Sequence, residues 1–160
     1  MGVHPKVYWK TAAYDGSTLR IKVEVNTFER SPALDHIHIR HAVETAWWSG
    51  TAEVKTFQLP ELVATKIRAL YQRAKGRDVF DLWLALTALS VDPRAIAEAF
   101  APYRPENWTS VKAEQNLREK LTKHAYRDDL RQLVRTPPTG FDLGDAIEVV
   151  LNQLVSHIDA

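Results

Sequence analysis

The fold is decided where the chain reads LPELVATKIRALYQRAKGRDVFDLWLALTAL, residues 59–89. Upstream of this stretch, apolar residues alternate with polar ones, and from Pro60 onward they recur at helical spacing. Proline suits the first turn of a helix, where its missing N–H would have no partner. Gly76 interrupts the helical pattern, so two consecutive helices are predicted. The second, from Arg77 to Leu89, is apolar nearly all round, which indicates a buried, central helix.

The alternating part of the chain predicts an antiparallel or mixed sheet of three to four strands. In chain order, the strand candidates span residues 7–14, 19–26, 36–41 and 53–59. The Asp15-Gly16 pair favours a tight turn between the first two strands. Ser49-Gly50 is predicted to form another turn, before the last strand.

The rest of the chain predicts a helical bundle. Asp92 followed by Pro93 is typical of a helix start, and further helices are predicted at residues 93–103, 110–124, 128–135 and 142–158. The sequence therefore predicts an α+β fold in a single compact unit. Its sheet lies in residues 1–59 and its helical region in residues 60–160.

The composition excludes several classes of protein. Of the 160 residues, 45% are hydrophobic and 26% are charged, which is ordinary for a globular domain. The chain has no cysteine, so disulfides, thiolate zinc sites and a cysteine nucleophile are excluded. No apolar run approaches the roughly 18 residues of a membrane span, and a cytoplasmic protein is expected. The net charge is +1, so any basic site must be local.

Charged side chains are concentrated around the break between the two helices of the first stretch. Asp81 lies within the most hydrophobic helix, so we expect a buried carboxylate with a cationic partner. Arg77, one turn earlier, or Lys66, on the preceding helix, could supply that partner. Asp78 is expected nearer the exposed start of the helix. The simpler interpretation is an ordinary ion pair between Arg77 and Asp81 within one helix.

The density of charge favours a second interpretation. Residues 66–81 contain several cations beside two carboxylates, and four of the cations form the candidate group: Lys66, Arg73, Lys75 and Arg77. Cations bind phosphate oxygens, and carboxylates hold cations in place. The four cations are therefore candidate residues for binding a nucleotide or another polyphosphate.

The same stretch resembles the AbiEii/AbiGii toxin family. These proteins are nucleotidyltransferases, the toxin half of type IV toxin–antitoxin and phage-abortive infection systems. The resemblance rests on an Ala-x-Lys-x-x-Ala-Leu helix at residues 64–70 and an Arg-Asp-x-x-Asp segment at residues 77–81. It implies Lys66, Asp78 and Asp81 as catalytic residues. It also implies Mg²⁺ and a nucleoside triphosphate (NTP) as cofactors, and a cognate antitoxin as partner.

The resemblance also extends upstream and identifies what the chain lacks. Strand 20–26 is similar to the strand that carries a metal-site carboxylate, which would be Glu24. The glycine loop and the Asp-x-Asp pair that hold phosphates and metals in this family do not occur in the sequence. The pair Gly16-Ser17 leads into a strand and is predicted to be a hairpin turn. We therefore expect the C-terminal portion of a nucleotidyltransferase, from about residue 18 onward, beginning inside the transferase sheet.

Two functions from different classes follow. One is an enzyme that uses Mg²⁺ to transfer a nucleotide from NTP to an RNA or protein acceptor, incomplete in this chain alone. The other is a non-catalytic module that binds tRNA or another RNA, an antitoxin or another protein. An open sheet edge at residues 7–14 or 19–26 would favour a homodimer or a partner chain.

Three further patterns each allow two interpretations. His36 and His38 could bind a metal, although an amphipathic strand produces the same alternation on its solvated face. Trp47-Trp48 is typical of hairpin packing, and stacking on nucleic acid is the alternative. The charged run 118–127 is interpreted as a solvated helix face, with tRNA contact as the alternative.

Overall fold

The computed structural model describes residues 5–25, 31–132, 134, 136 and 138–158. The chain forms two compact units, Met1–Pro32 and Ala33–Ala160. The prediction of an α+β fold with a C-terminal helical bundle is confirmed. The division at residue 59 follows the change of secondary structure, and as a domain boundary it stays a prediction.

The first unit contains one β-hairpin. Strands β1 (Lys6–Ala12) and β2 (Thr18–Glu24) pair antiparallel. In the turn between them, the Asp15 carboxylate accepts a hydrogen bond from the Ser17 N–H at 2.9 Å, and Gly16 adopts a φ of +81°. A glycine tolerates that backbone conformation because it has no Cβ. The predicted hairpin turn is therefore confirmed.

The second unit begins with another hairpin, formed by β3 (Ile37–Glu44) and β4 (Ser49–Thr56). The predicted turn at Ser49-Gly50 is wrong, because both residues belong to β4. The turn precedes them: the Thr45 hydroxyl donates to the Trp48 carbonyl at 2.9 Å and accepts from the Trp48 N–H at 3.0 Å. Gly50 accommodates the Trp48 ring, which a Cβ at that position would contact at 2.5 Å.

The four strands form two two-stranded antiparallel sheets, β1–β2 and β3–β4. The sequence predicted one sheet of three to four strands. Alternation specifies which side chains share a face of a strand, but it carries little information about the pairing partner. In the described residues each strand pairs with its neighbour in sequence, across a short turn.

The helical region has α1 (Leu59–Gln72), α2 (Arg77–Thr87), α3 (Pro93–Phe100), α4 (Ser110–Leu121), α5 (His124–Asp128), α6 (Leu143–Val150) and α7 (Ser156–Ile158). A π-helical turn, Leu151–Val155, joins the last two. The short helical piece predicted at 128–135 is present in part, as a 3₁₀ turn, Leu130–Gln132, that follows α5. Leu133 and Arg135 lie outside the described residues. No described helix is both long and apolar enough to cross a membrane.

The core lies among the helices of the second unit. Helix α1 packs against α2 and α3, and α2 packs against α6. Apolar side chains at helical spacing supply the core, including Ile67, Leu70, Val79, Leu82, Ile147 and Leu154. The predicted burial of α2 holds for its inner face, whereas Leu89 lies beyond the end of the helix and is exposed.

A fully buried carboxylate joins α1 to the segment that precedes β3. Glu61 is 0% exposed and accepts hydrogen bonds from the backbone N–H of Ala33 at 2.6 Å and of Leu34 at 3.1 Å. The Tyr103 hydroxyl also donates to Glu61. Three donors therefore satisfy the buried charge, which would otherwise be costly. Nothing in the local sequence distinguishes Glu61 from an exposed carboxylate.

Candidate phosphate-binding site

Residues 73–76 reverse the chain between α1 and α2 and bring the charged side chains of both helices together. Gly76 is buried against the backbone of α5, and a Cβ there would collide with the Tyr126 carbonyl oxygen. The first turn of α2 is therefore packed into the protein. Asp78 belongs to this packed turn, whereas Asp81 lies one turn further along the helix.

Asp78 is the buried carboxylate of the cluster. Its side chain is 0% exposed, and the Arg73 guanidinium binds it in a bidentate pair, Nε to Oδ2 at 2.7 Å and Nη2 to Oδ1 at 2.6 Å. The hydrogen bond to Asp78 raises the pKa of Arg73 above its ordinary value. Such a pair fixes the position of the guanidinium, because two parallel bonds define its plane.

Asp81 is the more exposed of the two carboxylates. Its Oδ2 lies 2.6 Å from the Lys66 Nζ, and the side chains of Asp81 and Lys66 are 39% and 40% exposed. The same Nζ lies 3.9 Å from Asp78 Oδ1. The prediction of a buried Asp81 and a more exposed Asp78 is thus wrong: the packed start of α2 buries Asp78, while Asp81 faces Lys66 near the surface.

A third carboxylate, Asp129, completes the cluster from the end of α5. Lys75 Nζ lies 3.2 Å from its Oδ1, and the Arg77 backbone N–H donates to its Oδ2 at 3.4 Å. The guanidinium of Arg77 approaches Asp129 at 4.0 Å, so the predicted alternative of an Arg77–Asp81 pair is wrong in this structure. The adjacent acids at 128 and 129 were visible in the sequence, but nothing there indicated contact with a turn about fifty residues away.

In the cluster, partly exposed cations are paired with carboxylates, two of which are buried. Asp78 and Asp129 are buried, at 0% and 7% exposure. The cations that they and Asp81 hold are each about 36–47% exposed: Lys66, Arg73, Lys75 and Arg77. Pairing with a buried carboxylate orients a cation while its remaining N–H groups face solvent. The surface can therefore offer several oriented donors to an anion such as a phosphate group.

Glu24 belongs to the other compact unit. Its carboxylate lies 2.7 Å from Lys22 Nζ and 3.2 Å from Lys6 Nζ. The hydrogen bond from Lys22, and then that from Lys6, lower the pKa of Glu24 below its ordinary value. A role for Glu24 in metal binding stays a prediction.

The three carboxylates of the cluster, Asp78, Asp81 and Asp129, do not fit a magnesium site. A divalent cation requires several oxygen ligands that are free to coordinate it, whereas each described carboxylate of the cluster is engaged by lysine or arginine. In the part of the chain that the structure describes, no group of three histidine, aspartate or glutamate side chains could hold a metal. The His36 ring stacks on Phe57, with centroids 5.3 Å apart.

Lys120 is a buried cation that the sequence placed on a solvated helix face, and for this residue that interpretation is wrong. It is 6% exposed. Its Nζ donates to the carbonyl oxygens of Leu70 at 2.5 Å and Tyr71 at 2.9 Å, in the last turn of α1. Carbonyls at a helix end have no partner within the helix, so the ammonium group caps α1 just before Arg73.

We expect the stability of the protein to depend on the titration of Lys120. Burial lowers its pKa to about 8, from an ordinary value of 10.5. Between these values the unfolded chain binds more protons than the folded chain, so the free energy of unfolding should rise with pH. A rise of about 1–2 kcal/mol is expected from about pH 8 to pH 9.5.

Urea unfolding across this range should show the rise in the wild type and in Lys112→Met, an exposed control. Loss of the rise in Lys112→Met, or its persistence in Lys120→Met, would contradict the assignment.

Arginine and lysine side chains that carboxylates orient at a surface are chemically able to bind phosphate oxygens. Comparison with known families assigns the chain more specifically. A family model described as nucleotidyl transferase AbiEii toxin, type IV TA system, matches residues 3–153, so the chain belongs to this family. The match begins upstream of residue 18, where the motif-based resemblance began. Neither the curated proteins nor the solved structures contain a match to the chain.

Proposed function

We propose that the second unit binds the phosphate groups of a nucleoside triphosphate through Lys66, Arg73, Lys75 and Arg77. The bidentate Arg73–Asp78 pair carries this proposal, because it orients an exposed guanidinium from a buried carboxylate. Membership of a nucleotidyltransferase family supports NTP as the anion. In this proposal Lys66 neutralises phosphate charge, and Asp78 and Asp81 hold the cations that contact it.

We propose that proteins of this lineage transfer a nucleotide from NTP to an RNA or protein acceptor. Mg²⁺ and NTP are usual for nucleotidyltransferases, and the toxin family implies a cognate antitoxin. The sequence contains no Asp-x-Asp pair, and the described carboxylates of the cluster are occupied by cations. We therefore propose that these residues alone bind NTP without transferring the nucleotide.

A non-catalytic binding module is the second candidate function. The observation that favours it is the β1–β2 hairpin, where Val7, Trp9, Ile21 and Val23 share one face and are all at least 40% exposed. An apolar face of this kind suits a protein partner, which could be the antitoxin or a second copy of this chain. RNA contact through the cations of the cluster, and a cytoplasmic location, belong to the same proposal.

Titration of labelled ATP and CTP, with and without Mg²⁺, tests the NTP proposal. We expect weak, salt-sensitive binding by the wild type, because the contacts are charge-assisted and exposed. Replacing Lys66 by alanine should weaken binding about threefold to tenfold, as expected for the loss of one such contact. Lys112→Ala, an exposed lysine on α4, is the matched control and should bind as the wild type does.

A transfer assay on tRNA tests the second half of the proposal. We expect no incorporation of nucleotide by the 160-residue chain. Robust incorporation would contradict the claim that the chain is catalytically incomplete. NTP binding that is unchanged in Lys66→Ala would instead contradict the phosphate site and leave the binding-module function.

A further inference from the structure

A pocket elsewhere in the helical region is lined by none of the four cations of the charged cluster. It encloses about 470 Å³ between the end of α5, the following 3₁₀ turn and the start of α6. Volumes of about 300–1,000 Å³ are typical of small-molecule sites. The side chains that line it include Leu121, Leu130, Phe141, Leu143, Arg127 and Arg131.

The apolar wall of this cavity is held in place by aromatic packing. The Phe141 ring meets Phe80 and Trp83 edge to face, each with a centroid distance of 5.1 Å. Leu130, which also lines the pocket, is 5% exposed. Because two aromatic rings of α2 hold Phe141 in place, this part of the wall offers a preformed surface to an apolar group.

Two arginines supply the polar part of the lining. Arg127 and Arg131 are four residues apart. The Arg127 guanidinium makes no hydrogen bond or ion pair with any described residue, and Arg131 makes one exposed ion pair, to Asp128 at 3.3 Å. The lining acid, Asp142, already accepts hydrogen bonds from the backbone N–H of Gly144 and Asp145, at 2.7 Å and 3.1 Å. The N–H groups of the two arginines therefore exceed the acceptors that the described lining offers them, which favours binding of an anion.

We propose that this cavity binds an amphipathic organic anion, with an aliphatic or aromatic body against Phe141 and Leu130 and one carboxylate or phosphate on Arg127 and Arg131. Apolar walls with a few convergent polar groups are the usual composition of a ligand site. Arginine binds carboxylate and phosphate through the same planar set of donors, so both anions satisfy it. The proposal is independent of NTP binding, because it uses none of the four cations of the charged cluster.

Nuclear magnetic resonance of the full chain tests the site. Backbone amide signals are followed while octanoate or phenyl phosphate is added, and the two arms separate an acyl carboxylate from an aryl phosphate. We expect at least one of the two anions to shift the amide signals of Leu130 and Gly144 saturably. At equal concentration, 1-octanol, which lacks the charge, should shift the same signals at least about tenfold less. The affinity should fall about tenfold in Arg127→Gln.

Two matched variants make the result specific. Arg94→Gln removes an exposed arginine of α3, and Lys66→Ala disturbs the proposed NTP site; both should bind the probe as the wild type does. Saturable shifts whose affinity falls about tenfold in Arg127→Gln alone would support the proposal. Absence of saturable shifts at Leu130 and Gly144 with both anions, or equal affinity in Arg127→Gln and Arg94→Gln, would overturn it, whatever the result of the NTP titration.

Discussion

The substitution Asp78→Ala is expected to lower the free energy of unfolding by about 3 kcal/mol. The side chain is 0% exposed and accepts two charge-assisted hydrogen bonds from Arg73. Removing it leaves Arg73 without its partner at the packed start of α2. The value lies at the low end of the range for a broken buried pair, because Arg73 is 47% exposed and can turn toward water. Urea unfolding measures the loss.

The matched control is Asp81→Ala, on the same helix and one turn further along. Its ion pair with Lys66 joins side chains that are 39% and 40% exposed, so a loss of about 0–1 kcal/mol is expected. A larger loss for Asp81 than for Asp78 would show that the order of burial in this cluster is the reverse of the one described. A double variant with Arg73→Ala should lose less than the sum of the single losses, because the two residues share one interaction.

The substitution Glu61→Ala is the second change with a large expected effect, a loss of about 3–4 kcal/mol in the free energy of unfolding. Three donors would lose their acceptor: the backbone N–H groups of Ala33 and Leu34, and the hydroxyl of Tyr103. The hydroxyl belongs to a side chain that is only 6% exposed, so water replaces the carboxylate poorly.

Two variants accompany Glu61→Ala in the same unfolding experiment. Glu61→Gln keeps one acceptor oxygen and should show an intermediate loss. Glu98→Ala removes an exposed carboxylate from α3 and should change the free energy of unfolding by less than about 0.5 kcal/mol. Similar small losses at Glu61 and Glu98 would contradict a structural role for the buried carboxylate.

Local sequence patterns predicted most of the helices and the turn of the first hairpin. Asp92, Thr109 and Asp142 each accept a hydrogen bond from a backbone N–H in the first turn of a helix. These interactions span two or three residues, so a short window of sequence contains both partners. The motifs around Lys66 and Asp78 likewise indicated the toxin family, which the match over residues 3–153 confirms.

The candidate site was predicted in part. The sequence identified the cations and carboxylates between residues 66 and 81, and the structure brings these side chains together across the reversal at Gly76. The assignment of their partners differed. Arg73 pairs with Asp78, Lys66 pairs with Asp81, and Arg77 approaches Asp129. Spacing along one helix identifies possible neighbours, but the partner actually chosen depends on side chains from other elements.

The sequence by itself determined the family, the α+β class and the places where the longer helices begin, because these depend on local motifs, periodicity and capping. Only the tertiary structure decided which charged residues are buried. Glu61, Asp78 and Lys120 lie on helices whose local patterns do not distinguish them from exposed residues, and their partners include residues 28 to 50 positions away for Glu61 and Lys120. A charge remains stable in the interior only where distant backbone and side-chain groups supply its hydrogen bonds, and those groups meet it only when the chain is folded.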